Sequence, residues 1–464
     1  MHIRKLDRPL FSIGDRWGYL LAISSFLYIL LSLVIYAFPS LQEWQSLAFA
    51  PIRRAAMVTP PFADLAMLTH SARCEGSLAD FFGGVVNCDP YKRLFTYPPM
   101  ALWMFSALGF SSASLGWLGL LLGLATALLT AGFFFTLIPS ALVAGLLLSL
   151  AYLSLPFQLA LERGNNDLIV FLLLALLAQA IAGEKQRSAA AAAGLAFLAV
   201  ATKILPLFGI IATHWLQPWS GFGKGPPTRN LHWALLGGVA GLSLVLPWIG
   251  LILKNSPRPD GGLFSHGLIA GLVFSGSTIA RLQAFGWLAI KLTFLGAGAV
   301  GAWRQGMPQH LQTFLVRGAA RVHPRLIAVT LCLFTATWIG TYLFTRSFDY
   351  KFIFLLPALG VSGALLCQGS DDGGRRGWIS LVLVPILCAW FFPYLSITFL
   401  LPLGQPLELV NDNVLLPLLA GALATGLLGC RSWGGRPSTV PAARWGTGIN
   451  KTCVTRSHRR RPSL

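Results

Sequence analysis

The sequence predicts an all-α polytopic membrane protein that crosses the bilayer about twelve times. Three observations predict it. Only 11% of the 464 residues are charged, against about a quarter in an average soluble chain. Some 55% are apolar, and uncharged runs of about 17–25 residues recur along most of the length, as spanning helices require. Basic residues gather in alternate connecting segments, which is the charge bias of cytoplasmic loops.

The elements follow in order. Arg4, Lys5, Arg8 and Arg16 precede the first run, 17–37, and hold residues 1–16 in the cytoplasm. That run is long and has no small-residue cleavage site, so it is an uncleaved first span. Residues 38–97 form a polar loop on the outer side. In "RLFTYPPMALW" (93–103), Tyr97-Pro98-Pro99 cannot lie inside a helix. Pro99 can open one, and tyrosine prefers the lipid–water boundary. The apolar stretch 99–110 is too short to span, so it is a surface helix within an outer segment covering 38–114.

Further runs lie at 115–137, 139–160 and 168–183. The run 189–216 carries Lys203 and Pro206 at its middle, in "ATKILPLF". Proline breaks a helix and a mid-membrane lysine is costly, so two short helices meeting at the outer surface near Lys203 are expected. The remaining runs are 231–253, 283–303, 326–345, 352–367, 378–394 and 413–430. "EKQR" (184–187), "GKGPPTRN" (223–230), the stretch 304–325, "GGRRG" (373–377) and the tail face the cytoplasm, with both termini inside. The membrane module is 17–430. The tail 431–464 is basic and rich in Gly, Pro, Ser and Arg, and is expected to be disordered beside anionic lipid. The net charge of +19 is thus a topology signal, and no nucleic-acid partner is expected.

Polar residues collect on the outer side. The first loop offers Glu43, Asp64, Glu75, Asp80 and Asp89. "LERGNNDLIV" adds Glu162, Arg163, Asn165, Asn166 and Asp167; then come Lys203, Ser265-His266, "TRSFDYKFIF" with Arg346, Asp349, Tyr350 and Lys351, and Asp412. Such a gathering at one membrane face suits a substrate with a polar head and a lipid tail. Plainer readings stand beside this one. "ERGNND" makes a good turn with Asp167 as helix cap, and Arg163 could pair with Glu162. Asp349 could neutralise Arg346 or Lys351. Lys203 could snorkel, and His266 could cap or pack. Lys291 is a second charge within an apolar run. Cys74 and Cys88 share the first loop and could form a disulfide if it is exported. Cys332, Cys367, Cys388 and Cys430 lie in or beside apolar runs and are expected to pack. No His/Cys metal spacing and no nucleotide-binding motif is evident, so no cofactor is expected, with a divalent metal left open.

Four stretches resemble glycosyltransferase family 87, within the GT-C class of membrane glycosyltransferases: "DPYKRLFTYPPM" (89–100), "LERGNNDLIVFLLL" (161–174), "AGLAFLAVATKILPLF" (193–208) and "SFDYKFIFLLPAL" (347–359). The resemblance implies a GT-C-like helix bundle with a long first outer loop and a surface helix after it. It implies transfer of a hexose, mannose favoured, from a polyprenyl-phosphate donor to a glycolipid, glycan or protein hydroxyl. The setting would be a bacterial inner membrane with the site on the periplasmic side. In that class an acid of the first outer loop is the base. Asp64 in "PPFADLAML" is the best match, with Asp89 and Glu43 as alternatives.

A phosphate leaving group needs positive charge rather than a proton donor. Lys203, Arg346, Lys351 and Arg163 are the candidates to hold it. Tyr97, Glu162, Asn165, Asn166, Asp167, His266, Asp349 and Tyr350 are candidates to position substrate. A transporter or flippase for a lipid-linked sugar is the alternative, and a nonenzymatic scaffold a more distant one. Transporters place ionisable groups at mid-membrane breaks.

Overall fold

The computed structural model describes residues 13–38, 40–41, 61–86, 88–183, 187–217, 227–255, 265–266, 278–315, 323–344, 347–367, 373–398 and 410–428. Glu43, Arg346, Cys430 and the tail 431–464 lie outside the described residues, as do the side chains of His266, Asp349 and Tyr350.

The regular secondary structure of the described residues is helical apart from two two-residue strands, Ser265–His266 and Ser347–Phe348, paired antiparallel. Among the described residues, seven helices are long and apolar enough to cross a membrane: Ile13–Ala37, Ser112–Leu137, Thr228–Asn255, Phe285–Arg304, Pro324–Phe344, Gly374–Phe392 and Asn411–Leu428. Four shorter apolar helices join them, at Asn166–Ala182, Arg187–Thr202, Pro206–Leu216 and Lys351–Leu366. The first helix shows why the bundle belongs in lipid: Leu20, Ile23, Leu27 and Leu31 are each more than half exposed, which only a nonpolar surrounding accommodates at this density.

The expected single span 139–160 is instead a broken one. Ala141–Leu153 and Leu155–Arg163 meet at 54°. Ser154 is extended, its Oγ accepts the Phe157 N–H at 3.4 Å, and Pro156 sits in the first turn of the second helix. A serine cap and a proline restart a helix rather than continue it. The expected break in 189–216 falls at Lys203: one helix ends at Thr202 and the next opens at Pro206. Pro99 likewise opens the short helix Pro99–Ala107.

Close helix crossings use glycine. A methyl on Gly145 would strike the carbonyl of Gly18, and one on Gly421 would strike that of Leu295, so these backbones approach as only small residues allow.

Five contacts define one end of the bundle. The Phe62 N–H donates to the Glu162 carbonyl at 2.5 Å. Asn166 Nδ2 donates to the Thr202 carbonyl at 3.2 Å. Asn255 Nδ2 donates to the carbonyls of Phe82 at 2.8 Å and Phe95 at 3.3 Å. His266 pairs with Ser347 in the short ladder. The first loop, the "ERGNND" turn and the Lys203 break therefore meet at one place, and Lys351 lies within electrostatic reach of Lys203 there. At the other end, Asn230 Nδ2 donates to the carbonyls of Ala180 at 3.1 Å and Gly183 at 2.7 Å.

Candidate functional site

The site is built around the start of the Asn166–Ala182 helix. The preceding helix ends at Arg163, and Gly164 closes it in the left-handed conformation, φ 56°. Glycine is needed there twice over. The conformation disfavours a side chain, and a Cβ would meet Phe62 and Leu65 at 3.0–3.1 Å. Asn165 then caps the next helix, its Oδ1 accepting the Asp167 N–H at 2.8 Å. This corrects the expectation that Asp167 is the cap: Asn165 is the residue with extended backbone at the helix start, which the capping position requires. The turn thereby sends Arg163 and Asn165 one way and Asp167 another.

Arg163 and Asn165 reach Asp64, in the first turn of the Ala63–Ser71 helix. Arg163 grips it with a fork, Nε to Oδ2 at 3.0 Å and Nη2 to Oδ1 at 2.9 Å. Asn165 Nδ2 donates to Oδ2 at 2.5 Å. Arg93 Nη1 donates to Oδ1 at 3.0 Å. Arg163 pairs with Asp64, because its fork matches a carboxylate that the fold brings into line with it. Glu162 contributes its carbonyl, which holds Phe62; that residue has φ 59° and is fully buried. The strained turn at Phe62 sets Asp64 into the cluster, and such strain persists only where surroundings enforce it.

Arg93 was not among the sequence candidates. It bridges two acids: besides Asp64 it holds Asp89, with Nε to Oδ2 at 2.9 Å and Nη2 to Oδ1 at 3.0 Å. Its backbone N–H also donates to Asp89 Oδ2 at 3.0 Å, and Nη2 donates to the Ala63 carbonyl. The four-residue spacing of Asp89 and Arg93 was the available signal. Asp89, an alternative base in the sequence reading, is thus the partner of Arg93. Tyr97 packs edge-on against Phe95, centroids 6.1 Å apart.

Burial raises the proton affinity of Asp64. The charge and hydrogen bonds of Arg163, the charge of Arg93 and the hydrogen bond of Asn165 outweigh that, and hold its carboxyl below the ordinary carboxylate range. Its two oxygens accept four side-chain hydrogen bonds, about the full capacity of a carboxylate.

On the other side of the turn, Asp167 Oδ1 lies 2.7 Å from Lys203 Nζ. Buried Lys351 lies within electrostatic reach of both Asp167 and Lys203. Here two lysines share one carboxylate.

The two clusters have one property in common. In each ion pair the cation is the more exposed partner: Arg93 30% against 9% for Asp64 and 2% for Asp89, Arg163 19% against 9%, Lys203 18% against 0% for Asp167. In these pairs the acids are the more enclosed partners and the cations the more accessible ones, whereas Lys351 is buried. Between the helices, a mainly apolar pocket of about 330 Å³, partly open at the surface, lies among Phe134, Phe171, Leu326, Phe334 and Leu356. Among the described residues no group of three or more His, Cys, Asp or Glu side chains could hold a metal.

Compared with family models, with curated proteins and with solved structures, the chain matches none.

Proposed function

We propose that the protein is a membrane glycosyltransferase that moves a hexose, mannose favoured, from a polyprenyl-phosphate donor to an acceptor hydroxyl at the outer face of the membrane. The observation that carries this reading is the outward order of charge: Arg93, Arg163 and Lys203 in front, Asp64, Asp89 and Asp167 behind. An anionic headgroup meets cations first, at the end of an apolar bundle that receives its chain.

In the proposed reaction, Arg163, Lys203 and Lys351 hold the phosphate and stabilise the negative charge that it gains as the sugar C1–O bond breaks. The acceptor oxygen attacks C1, and its proton passes to Asp64. One of the four donors on Asp64 must let go first, and Arg163 is suited to that, since the phosphate offers its fork an equivalent partner. A carboxylate held at low proton affinity takes the proton late, once the new C–O bond has made the hydroxyl acidic. A transporter would instead favour charges at mid-membrane helix breaks.

The test is transfer of radiolabelled sugar from polyprenyl-phosphate to endogenous acceptors in membranes containing the full chain. The reading expects transfer by the wild type and its loss in Asp64→Asn with expression retained. Substrate-dependent flux without transfer would replace it with transport.

A further inference from the structure

The Cys74–Cys88 disulfide lies beside the site. Its Cα atoms are 6.3 Å apart, within the span such a bond bridges. Cys74 follows the Ala63–Ser71 helix, to which its N–H is tied through the Ser71 carbonyl at 3.1 Å; that helix carries Asp64 in its first turn. Cys88 immediately precedes Asp89. Asp89 holds Arg93, and Arg93 returns to Asp64. The path is therefore a closed ring: the Asp64 helix, the disulfide, Asp89, Arg93, and Asp64 again.

The ring has an outer support. Between the cysteines, Phe81 and Phe82 pack on Phe95 with centroids 5.9 and 5.6 Å apart, and Phe82 stacks on Trp248 at 5.2 Å. These rings hold the loop against the bundle. The connection from loop to Asp64 runs through Asp89 and Arg93.

We propose that the Cys74–Cys88 bond, Asp89 and Arg93 act as one clamp, with Arg93 as the positioning residue that keeps Asp64 aimed into the site. The proposal rests on the reading of Asp64 as the base. A loop segment such as 88–93 loses much conformational freedom when Arg93 is fixed. A covalent link one residue from Asp89 removes part of that freedom in advance. Lysine cannot replace Arg93, because one ammonium cannot present the planar fork to Asp89 while reaching Asp64.

The test uses the full chain in detergent with Cys74→Ser/Cys88→Ser, Asp89→Asn and Arg93→Lys. Hydrogen exchange is read over residues 89–97 and over 166–182. In the cysteine pair variant, 89–97 is expected to exchange about tenfold faster while 166–182 is unchanged, as for a local opening. Sugar transfer is expected to fall in all three variants, with kcat reduced and donor KM little changed. Asp89→Asn added to the cysteine pair should cost nothing further, as members of one unit are non-additive. Unchanged exchange over 89–97, additive losses, or a rise in KM at constant kcat would overturn the clamp. If the wild type transfers no sugar from any polyprenyl-phosphate donor, the functional reading fails by itself, and the exchange arm still decides whether the disulfide and Arg93 are one unit.

Discussion

The two charge clusters that flank the Asn165 turn are built differently. Around Asp64, two arginines face two carboxylates, and each guanidinium makes a two-pronged grip. Around Asp167, two lysines share one carboxylate, with a single 2.7 Å contact from Lys203. Arginine forks fix direction; lysines act as compact point charges. The first cluster is thus arranged to hold a carboxylate still, and the second to attract an anion. In the proposed reaction the arginine cluster aims Asp64 and the lysines draw in the phosphate, with Arg163 passing from the first task to the second as its fork leaves Asp64 for the phosphate.

The largest effect that would break this contrast comes from the acids. Asp64→Asn is expected to lower transfer by about 10³-fold, within the usual range for loss of a positioned base. Asp167→Asn should act chiefly on donor binding. Steady-state kinetics of both variants check this, and equal losses of kcat would erase the distinction.

Next come the losses in stability. Removing the Asp167 carboxylate with Asp167→Ala leaves two lysines beside one another, and costs about 3–5 kcal/mol as for a broken buried pair. Adding Lys203→Met should restore part of it, since that removes one uncompensated cation. Thermal unfolding in detergent measures both. Failure of the second change to help would mean that Lys203 and Asp167 are not coupled.

Exchange of cations sharpens the contrast at a smaller scale. Arg163→Lys keeps the charge but loses the fork, at about 1.5–3 kcal/mol for a hydrogen bond to a charged group. Lys203→Arg is expected to be tolerated better, because the single contact at Asp167 does not need a fork. Melting temperatures of the two variants decide this.

The smallest effect is that of acid. Asp64 has its folded-state proton affinity held below the ordinary carboxylate value of 3.8. Its contribution to stability is therefore fully present above that value and is lost as pH falls from there through the depressed folded value. A pH titration of unfolding should show Asp64→Asn losing part of the acid sensitivity below 3.8 and differing from wild type by a constant amount above it.

Much of the site was legible because charge is conspicuous in an apolar chain. Asp64, Arg163, Asn165, Asp167, Lys203 and Lys351 stood out from the sequence, and the fold brings them to one end of the bundle. Their pairing was not legible. Arg163 and Asp64 are 99 positions apart, and nearest neighbours such as Glu162 offered a simpler partner. Arg93 was passed over because an arginine in a polar loop is ordinary; only its position between two acids marks it. The helical class and the break at Lys203 followed from hydropathy and proline. The bend at Ser154 did not, because the run through it is uncharged throughout and the signal lay in one Ser-Leu-Pro step.

The most direct measurement is the affinity of the full-length protein, in lipid nanodiscs, for a polyprenyl monophosphate and for the uncharged polyprenol of equal length. The phosphate is expected to bind about 100-fold more tightly, the worth of about two charge-assisted hydrogen bonds, and Arg163→Met with Lys203→Met should remove that preference. Equal affinity for the two lipids in the wild type would contradict an anion site at this end of the bundle.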